Sequence, residues 1–254
     1  MKLYKKSLGM ILSSRLAYRT DFLFTFVSIT LWSLSSTLFY FLIYAAGAEF
    51  PGWNFFEILV FLGVFNVLFG FANAFAFNFF QQVMQAVREG TLEVLLIKPV
   101  NEIYLFLSRS FEYESAGEIL AGIALLVIGL LNTAVDINVI LLFTYFVMSI
   151  LFYFSAILFI SSLAIRFIDV HRLIELLNHL FNIAEYPKNF FPLGGRILFS
   201  IIFPLFIFSY YPASAILGYE VENGLLIILS CIIIFFLALF FWKQTIKKYT
   251  GAGG

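Results

Sequence analysis

Few residues in this chain have the means to do chemistry, and their spacing argues against most reactions. His171 and His179 stand eight apart with no cysteine near them, and no HExxH pair occurs, so a zinc hydrolase has no ligand set. The one cysteine, Cys231, lies inside the apolar run Leu225 to Trp242, which excludes a disulfide scaffold. Neither a GxSxG serine turn nor a phosphate-cradling GxxxxGK[ST] loop is present, so the chain cannot itself burn nucleotide. No catalytic residue and no metal ligand is therefore assigned. What remains is a polar stripe. At about 100° per residue, His171, Glu175, Asn178, His179, Asn182 and Glu185 fall on one side of a helix, and Leu173, Leu176, Leu177, Leu180, Phe181 and Ile183 cover the rest. Such a stripe either meets water at a surface or lines a polar path through an apolar environment.

The elements that must carry it are themselves apolar. Hydrophobic residues make up 62% of the chain and charged residues 12%, about half the share usual in a soluble domain. Mean hydropathy is +1.00. The net charge of zero argues against a nucleic-acid partner, and 35 phenylalanines argue against disorder. The composition is that of an integral membrane protein, and its long apolar runs predict an all-α fold, because lipid leaves backbone groups no other partner.

Stretches free of charge measure the crossings. They hold 27 residues between Asp21 and Glu49, 30 between Glu57 and Arg88, 17 between Glu118 and Asp136, 29 between Asp136 and Arg166, 23 between Arg196 and Glu220, and 20 between Glu222 and Lys243. Six transmembrane helices follow. On this count all 15 basic residues fall in alternate connections and at the termini, while the opposite connections hold only Glu49, Glu57, Asp136, Glu220 and Glu222. Both termini are thus predicted to be cytoplasmic. Trp53 and Trp242 sit where interfacial anchors are expected. The basic start MKLYKKSLGM lacks a small-residue cleavage site and is expected to be retained, with residues 1–21 lying at the interface before the first span.

Two further features bear on function. After the second span, Gln81 to Tyr104 places Arg88 and Glu89 before Gly90, then a short amphipathic turn over Thr91 to Lys98 that Pro99 ends. A rigid short helix between two breakers, or an ordinary solvated loop, fits this pattern. Within the second span Gly63, Asn66, Gly70, Asn73 and Ala74 share one side, a composition suited to close packing inside the chain or to a seam between two copies.

The segment REGTLEVLLIKPV resembles the cytoplasmic loop of permease subunits of type-2 ATP-binding cassette (ABC) exporters, in a group that carries a Gly, a Leu pair and a Pro at this place. AEYPKNFFPLGGRILFSIIFPLFIFSYYPASAILG, Ala184 to Gly218, is similar to the same group's tail motif, and the resemblance covers almost the whole chain. It implies a single permease domain over 1–254, with spans at 22–46, 58–80, 114–135, 138–165, 171–188 and 223–242, a cytoplasmic coupling segment at 81–104 and a re-entrant hairpin at 190–218 before the last helix. It also implies that Arg88, Glu89, Gly90, Leu92, Leu95, Leu96 and Pro99 form a coupling helix that docks on a separate ABC ATPase subunit, Leu92, Leu95 and Leu96 supplying the apolar face. RFIDVHR, Arg166 to Arg172, would be the second contact. ATP and Mg would then reside on the partner and no cofactor on this chain.

Charge counting and resemblance disagree on the stripe. Counted by charge, it lies flat on the inner membrane surface and Arg196 begins the fifth span. By resemblance, 171–188 is that span, Lys188 and Arg196 move outside, and the 15-to-0 division of basic residues becomes 13 to 2. Pro204 and Pro212 favour the broken path. Glu175, Asn178, His179, Asn182 and Glu185 then face a substrate pathway between two subunits, a homodimer or a heterodimer with a sister permease in the plasma membrane. The expected function is the membrane subunit of an ABC exporter. A nucleotide-independent carrier or channel is the alternative, and a membrane enzyme a third.

Overall fold

Backbone donors with no water to bond must bond within their own segment, and the apolar runs accordingly form helices. The computed structural model describes residues 19–167, 171–221 and 223–249. The interfacial segment expected over 1–21 lies almost wholly outside them, as does the middle of RFIDVHR. The helices are α1 (Arg19–Ala45), α2 (Phe55–Arg88), α3 (Leu92–Leu96), α4 (Glu102–Leu107), α5 (Ala116–Leu131), α6 (Val139–Phe167), α7 (His171–Asn182), α8 (Leu193–Ile197), α9 (Tyr210–Leu217) and α10 (Gly224–Lys247). Among the described residues there is no strand, only an isolated bridge between Phe50 and Trp53. Four helices are long and apolar enough to cross a membrane: Thr20–Ala45, Phe55–Arg88, Val139–Phe167 and Gly224–Lys247.

The second helix is the central one. Its start is set by a capping box: the Asn54 side chain accepts from the Glu57 amide at 2.9 Å, and the Glu57 carboxylate accepts from the Asn54 amide at 2.8 Å. From there α2 runs to Arg88, eight residues beyond the expected end at 80, because Val83, Met84, Ala86 and Val87 remain buried and keep the helix packed. Its most extensive partner is α5. Glycines bring the two backbones together: a Cβ on Gly63 would lie 2.8 Å from the Gly122 carbonyl, and one on Gly122 would lie 2.7 Å from the Val67 amide. The small-residue side of the second span is thus an internal seam, the first of the two readings above.

On α10 the buried residues Ile227, Cys231, Ala238, Trp242 and Thr245 recur at helical spacing and pack on α6. The opposite side exposes Leu225, Leu229, Ile233, Phe236 and Phe240, and α1 likewise exposes Phe24, Leu31, Trp32 and Phe41. Such outer surfaces suit contact with lipid. The two expected anchors turn inward instead. Trp53 is 4% exposed and meets the rings of Phe61, Tyr210 and Tyr219, and Trp242 is fully buried, its indole donating to Glu102 at 3.2 Å. At helix ends in a bundle, a neighbouring end covers more of an indole than a headgroup would.

The bundle has a basic end and an acidic end. At the basic end, α4 and Trp242 adjoin Phe79, and Gln82 donates to Ser110 at 3.0 Å. The acidic end gathers Glu57 and Asp136: the Tyr219 hydroxyl donates to Glu57 at 2.8 Å and the Asp136 amide to the Ile216 carbonyl at 3.2 Å. Burial first, and then the Glu57 hydrogen bond, pushes the Tyr219 hydroxyl up to about 12.

α7 does not lie across either end. Phe181 is buried among Phe69, Tyr153 and Phe208 in the middle of the bundle, the Tyr40 hydroxyl donates to the Glu185 carbonyl at 2.7 Å, and Asn189 donates to the Pro51 carbonyl at 3.4 Å at the acidic end. Ile174 and Phe181 of α7 are thus buried against the bundle, while Leu176 and Leu180 of the same helix remain exposed. The chain from Asn189 to Tyr219 leaves from and returns to the acidic end through α8, a π-helical turn over Leu198–Ile202, a 3-10 turn over Leu205–Phe208 and α9. The uninterrupted helix implied by the 23-residue gap does not form. The peptide breaks at Phe203–Pro204, where proline has no donor to offer. Lys188 and Arg196 accordingly sit at the acidic end, with the Arg196 guanidinium donating to the Phe191 and Asn189 carbonyls at 2.7 and 3.1 Å.

Candidate functional site

Between α1, α2, the start of α5 and α7 lies a cavity of about 540 Å³. Each wall is placed by packing described above. The glycine seam brings α2 against α5, and Gly117 carries α5 close to α1, where a Cβ would meet the Phe26 carbonyl at 2.8 Å. The Phe181 anchor turns the polar side of α7 toward the opening. Asn178, His179, Asn182 and Glu185 all line the cavity, which gathers four of the five pathway candidates; Glu175 is exposed and does not reach it. Asn66 and Asn73 face them from α2, with Ser33 and Trp32 from α1.

One functional candidate was not anticipated. Glu118 served in the sequence reading only as the edge of an uncharged stretch, yet it lies in the first turn of α5, 8% exposed, beside the middle of α2. Its carboxylate accepts from the Asn73 amide at 3.2 Å, and the Asn73 carbonyl accepts from the Tyr153 hydroxyl of α6. This chain of hydrogen bonds fixes which end of the Asn73 amide meets Glu118. The available signal was a carboxylate within the otherwise apolar AGEILAGIALLVIGLL. Its contact with Asn73 and Tyr153 had none, because the three come from separate helices.

At the basic end, Gly90 has φ +65°, a left-handed conformation that only glycine adopts cheaply, and it turns the chain from α2 into α3. Arg88 and Glu89 are exposed, with Gln85 donating to Glu89 at 2.7 Å, and Pro99 follows the helix in an exposed turn. The expected apolar face is turned round. Leu92 is fully buried, and Leu95 and Leu96 pack partly against the core, so the apolar side chains presented outward are Val94 and Ile97, at 62% and 82% exposed. A five-residue helix has room for one inward face, and the bundle takes the leucines. Asn101 caps α4, accepting from the Tyr104 amide at 3.1 Å.

No metal centre competes with these sites: among the described residues, no group of three or more His, Cys, Asp or Glu is placed to hold an ion.

A helical apolar bundle with an open cavity reached by polar side chains of α2, α5 and α7, and a short helix at one end, agrees with the family comparison. A family model described as ABC-2 family transporter protein matches residues 30–253. The chain belongs to that family. As an ABC-2 family transporter protein it is a multi-pass membrane component of a transport system and has no catalytic role of its own. Membership implies association with an ABC ATPase subunit. Comparison with curated proteins and with solved structures finds no match.

Proposed function

We propose that this chain is the membrane subunit of an ABC exporter, which pairs with a second permease subunit, forms the substrate pathway with it and is driven by a separate ATPase. The observation that carries the reading is a cavity in which the polar side of α7 meets Asn66 and Asn73 of α2, in a bundle whose outer surface is apolar. Polar groups gathered at that depth are costly unless a polar molecule uses them. In this reading the basic end is cytoplasmic, with both termini on that side. The chain crosses six times, α7 among the crossings, and residues 190–218 enter and leave from the outside. Support comes from the positive-inside rule for all but two basic residues and from the shared end of Asn189 and Tyr219. Gly90 to Pro99 couples the ATPase stroke to α2 and α4, with Val94 and Ile97 as its outward contacts.

The test is purification from native membranes followed by reconstitution. A soluble subunit bearing GxxxxGK[ST] should accompany the chain, and transport should require ATP. Asn178→Leu and Asn182→Leu should keep expression and ATPase attachment while transport falls. Equal losses of abundance and transport would assign those amides to packing instead. A carrier that works without nucleotide is the second reading, favoured by buried Glu118, since ion-driven carriers place acids within spans. Transport driven by an ion gradient with no ATPase present would establish it.

A further inference from the structure

A second cavity, of about 340 Å³, opens at the acidic end between the turns after α7, α8, the π-helical turn, α9 and the residue that precedes α10. It shares no lining residue with the first. Lys188 and Arg196, the two basic residues that depart from the division of charge, both line it. The Arg196 guanidinium donates to the Phe191 and Asn189 carbonyls, dipoles that orient its planar fork and leave its charge in place. The Lys188 ammonium stands 5.3 and 5.5 Å from the ring centres of Tyr210 and Tyr211, which line the same cavity. Among the described residues, the acid at this site is exposed Glu220. An independent feature is the apolar rim. Leu193 and Ile197 line the cavity and are exposed, as are Ile202 and Phe203 further along the segment. A soluble anion would use the cations and have no need of this rim, whereas a phospholipid uses both. The volume is at the small end for an organic ligand, suited to a headgroup whose chains lie outside.

We infer that this second cavity holds the phosphodiester of an anionic phospholipid, with Arg196 and Lys188 on its phosphate oxygens and its acyl chains along Leu193 and Ile197. A guanidinium matches a phosphodiester through paired N–H donors, and an ammonium adds a point charge. A headgroup of net negative charge is favoured over a zwitterionic one, whose own cation would meet like charges. A lipid so bound clamps the broken segment 190–218 to the bilayer. That the leaflet is the outer one rests on the topology proposed above; the binding does not.

The experiment titrates the full chain in a neutral detergent with dioleoyl phosphatidylglycerol and dioleoyl phosphatidylcholine, counting retained lipids by native mass spectrometry. The first phosphatidylglycerol should bind about tenfold more tightly than phosphatidylcholine. Lys188→Gln and Arg196→Gln should each abolish that preference, Arg196→Lys should keep part of it, and Lys243→Gln at the basic end should leave it unchanged. Should Arg196→Gln fail to fold, Lys188→Gln carries the test. Equal affinity for the two lipids overturns the inference, as does parental preference in the folded Gln variants or an equal loss in Lys243→Gln. Inorganic phosphate and glycerophosphoglycerol at millimolar concentration should not displace the lipid; displacement by either would make this a site for a free anion and overturn the lipid assignment. If phosphatidylglycerol is preferred but Gly194→Cys reacts with an impermeant maleimide only in opened cells, the lipid site stands and the proposed topology falls. If Gly194→Cys reacts in intact cells and no lipid is preferred, the topology stands and the lipid site falls.

Discussion

Replacing Asn73 with leucine, close to isosteric, removes two hydrogen bonds at once and exposes the logic of the buried chain from Tyr153 to Glu118. In the parent, the Tyr153 hydroxyl donates to the Asn73 carbonyl and the Asn73 amide donates to Glu118 at 3.2 Å. Tyr153 is fully buried, so its orphaned hydroxyl has no water to turn to and costs about 1–3 kcal/mol. Glu118 lines the cavity and can recruit water, which makes its loss the smaller of the two. Asn73→Leu should therefore destabilise by about 2–4 kcal/mol, a fall of roughly 4–16 °C in melting temperature for a chain of this size. Tyr153→Phe alone should cost about 1 kcal/mol. In the double variant the hydroxyl is gone along with its partner, so adding Tyr153→Phe to Asn73→Leu should recover stability. The cycle is measured by thermal unfolding in detergent, read by size-exclusion fluorescence. Additive losses, or a double variant less stable than Asn73→Leu, would show that the two side chains do not act as a pair and would refute the chain of bonds.

Other outcomes follow from single positions. Fully buried Cys231 should not react with a membrane-impermeant maleimide in intact cells, whereas with Cys231→Ala in place, Gly194→Cys, whose Cβ would have no protein neighbour within 4 Å, should label from outside and Lys98→Cys only after permeabilisation; the reverse pattern would put residues 190–218 in the cytoplasm. Gly122→Ala drives a Cβ to within 2.8 Å of the Gly63 backbone and should cost about 1–3 kcal/mol, while Gly194→Ala should leave the melting temperature unchanged, and equal melting temperatures would dismiss the glycine seam. Gly90→Val forces a β-branched residue into the left-handed region at a cost of about 1–3 kcal/mol and should loosen attachment of the ATPase, as should Ile97→Asp; retention of the ATPase by both variants would leave α3 a passive turn.

Part of the architecture was legible because it depends on sums over short stretches. Helix class, the four longest helices and the separation of charge between the two ends follow from runs of apolar residues interrupted by ions. Helix limits were less legible. The second span was expected over 58–80 within the uncharged stretch from Glu57 to Arg88, and the burial of Val83 and Val87 by neighbouring elements explains why α2 continues to Arg88. The polar side of α7 was evident from its spacing, which brought Asn178, His179, Asn182 and Glu185 together on the page before the cavity was seen. Its placement was not evident, because an amphipathic helix presents the same pattern to a membrane surface and to an internal cavity. Charge counting favoured the surface. Arg196, which sits with Lys188 among the acidic residues of its end, has its guanidinium held by the carbonyls of Phe191 and Asn189.

By itself the sequence determined the solvent of this protein, the class of its elements and the sign of charge at each end, since hydropathy, helical period and charge are properties of residues close together in the chain. Tertiary structure alone decided which polar groups share a space. Asn73, Glu118 and Tyr153 belong to α2, α5 and α6, and their meeting depends on how those helices are rotated about their axes and how closely glycine lets them approach. A rotation by one residue, about 100°, would turn Glu118 from the cavity toward another neighbour without altering any pattern readable in the sequence.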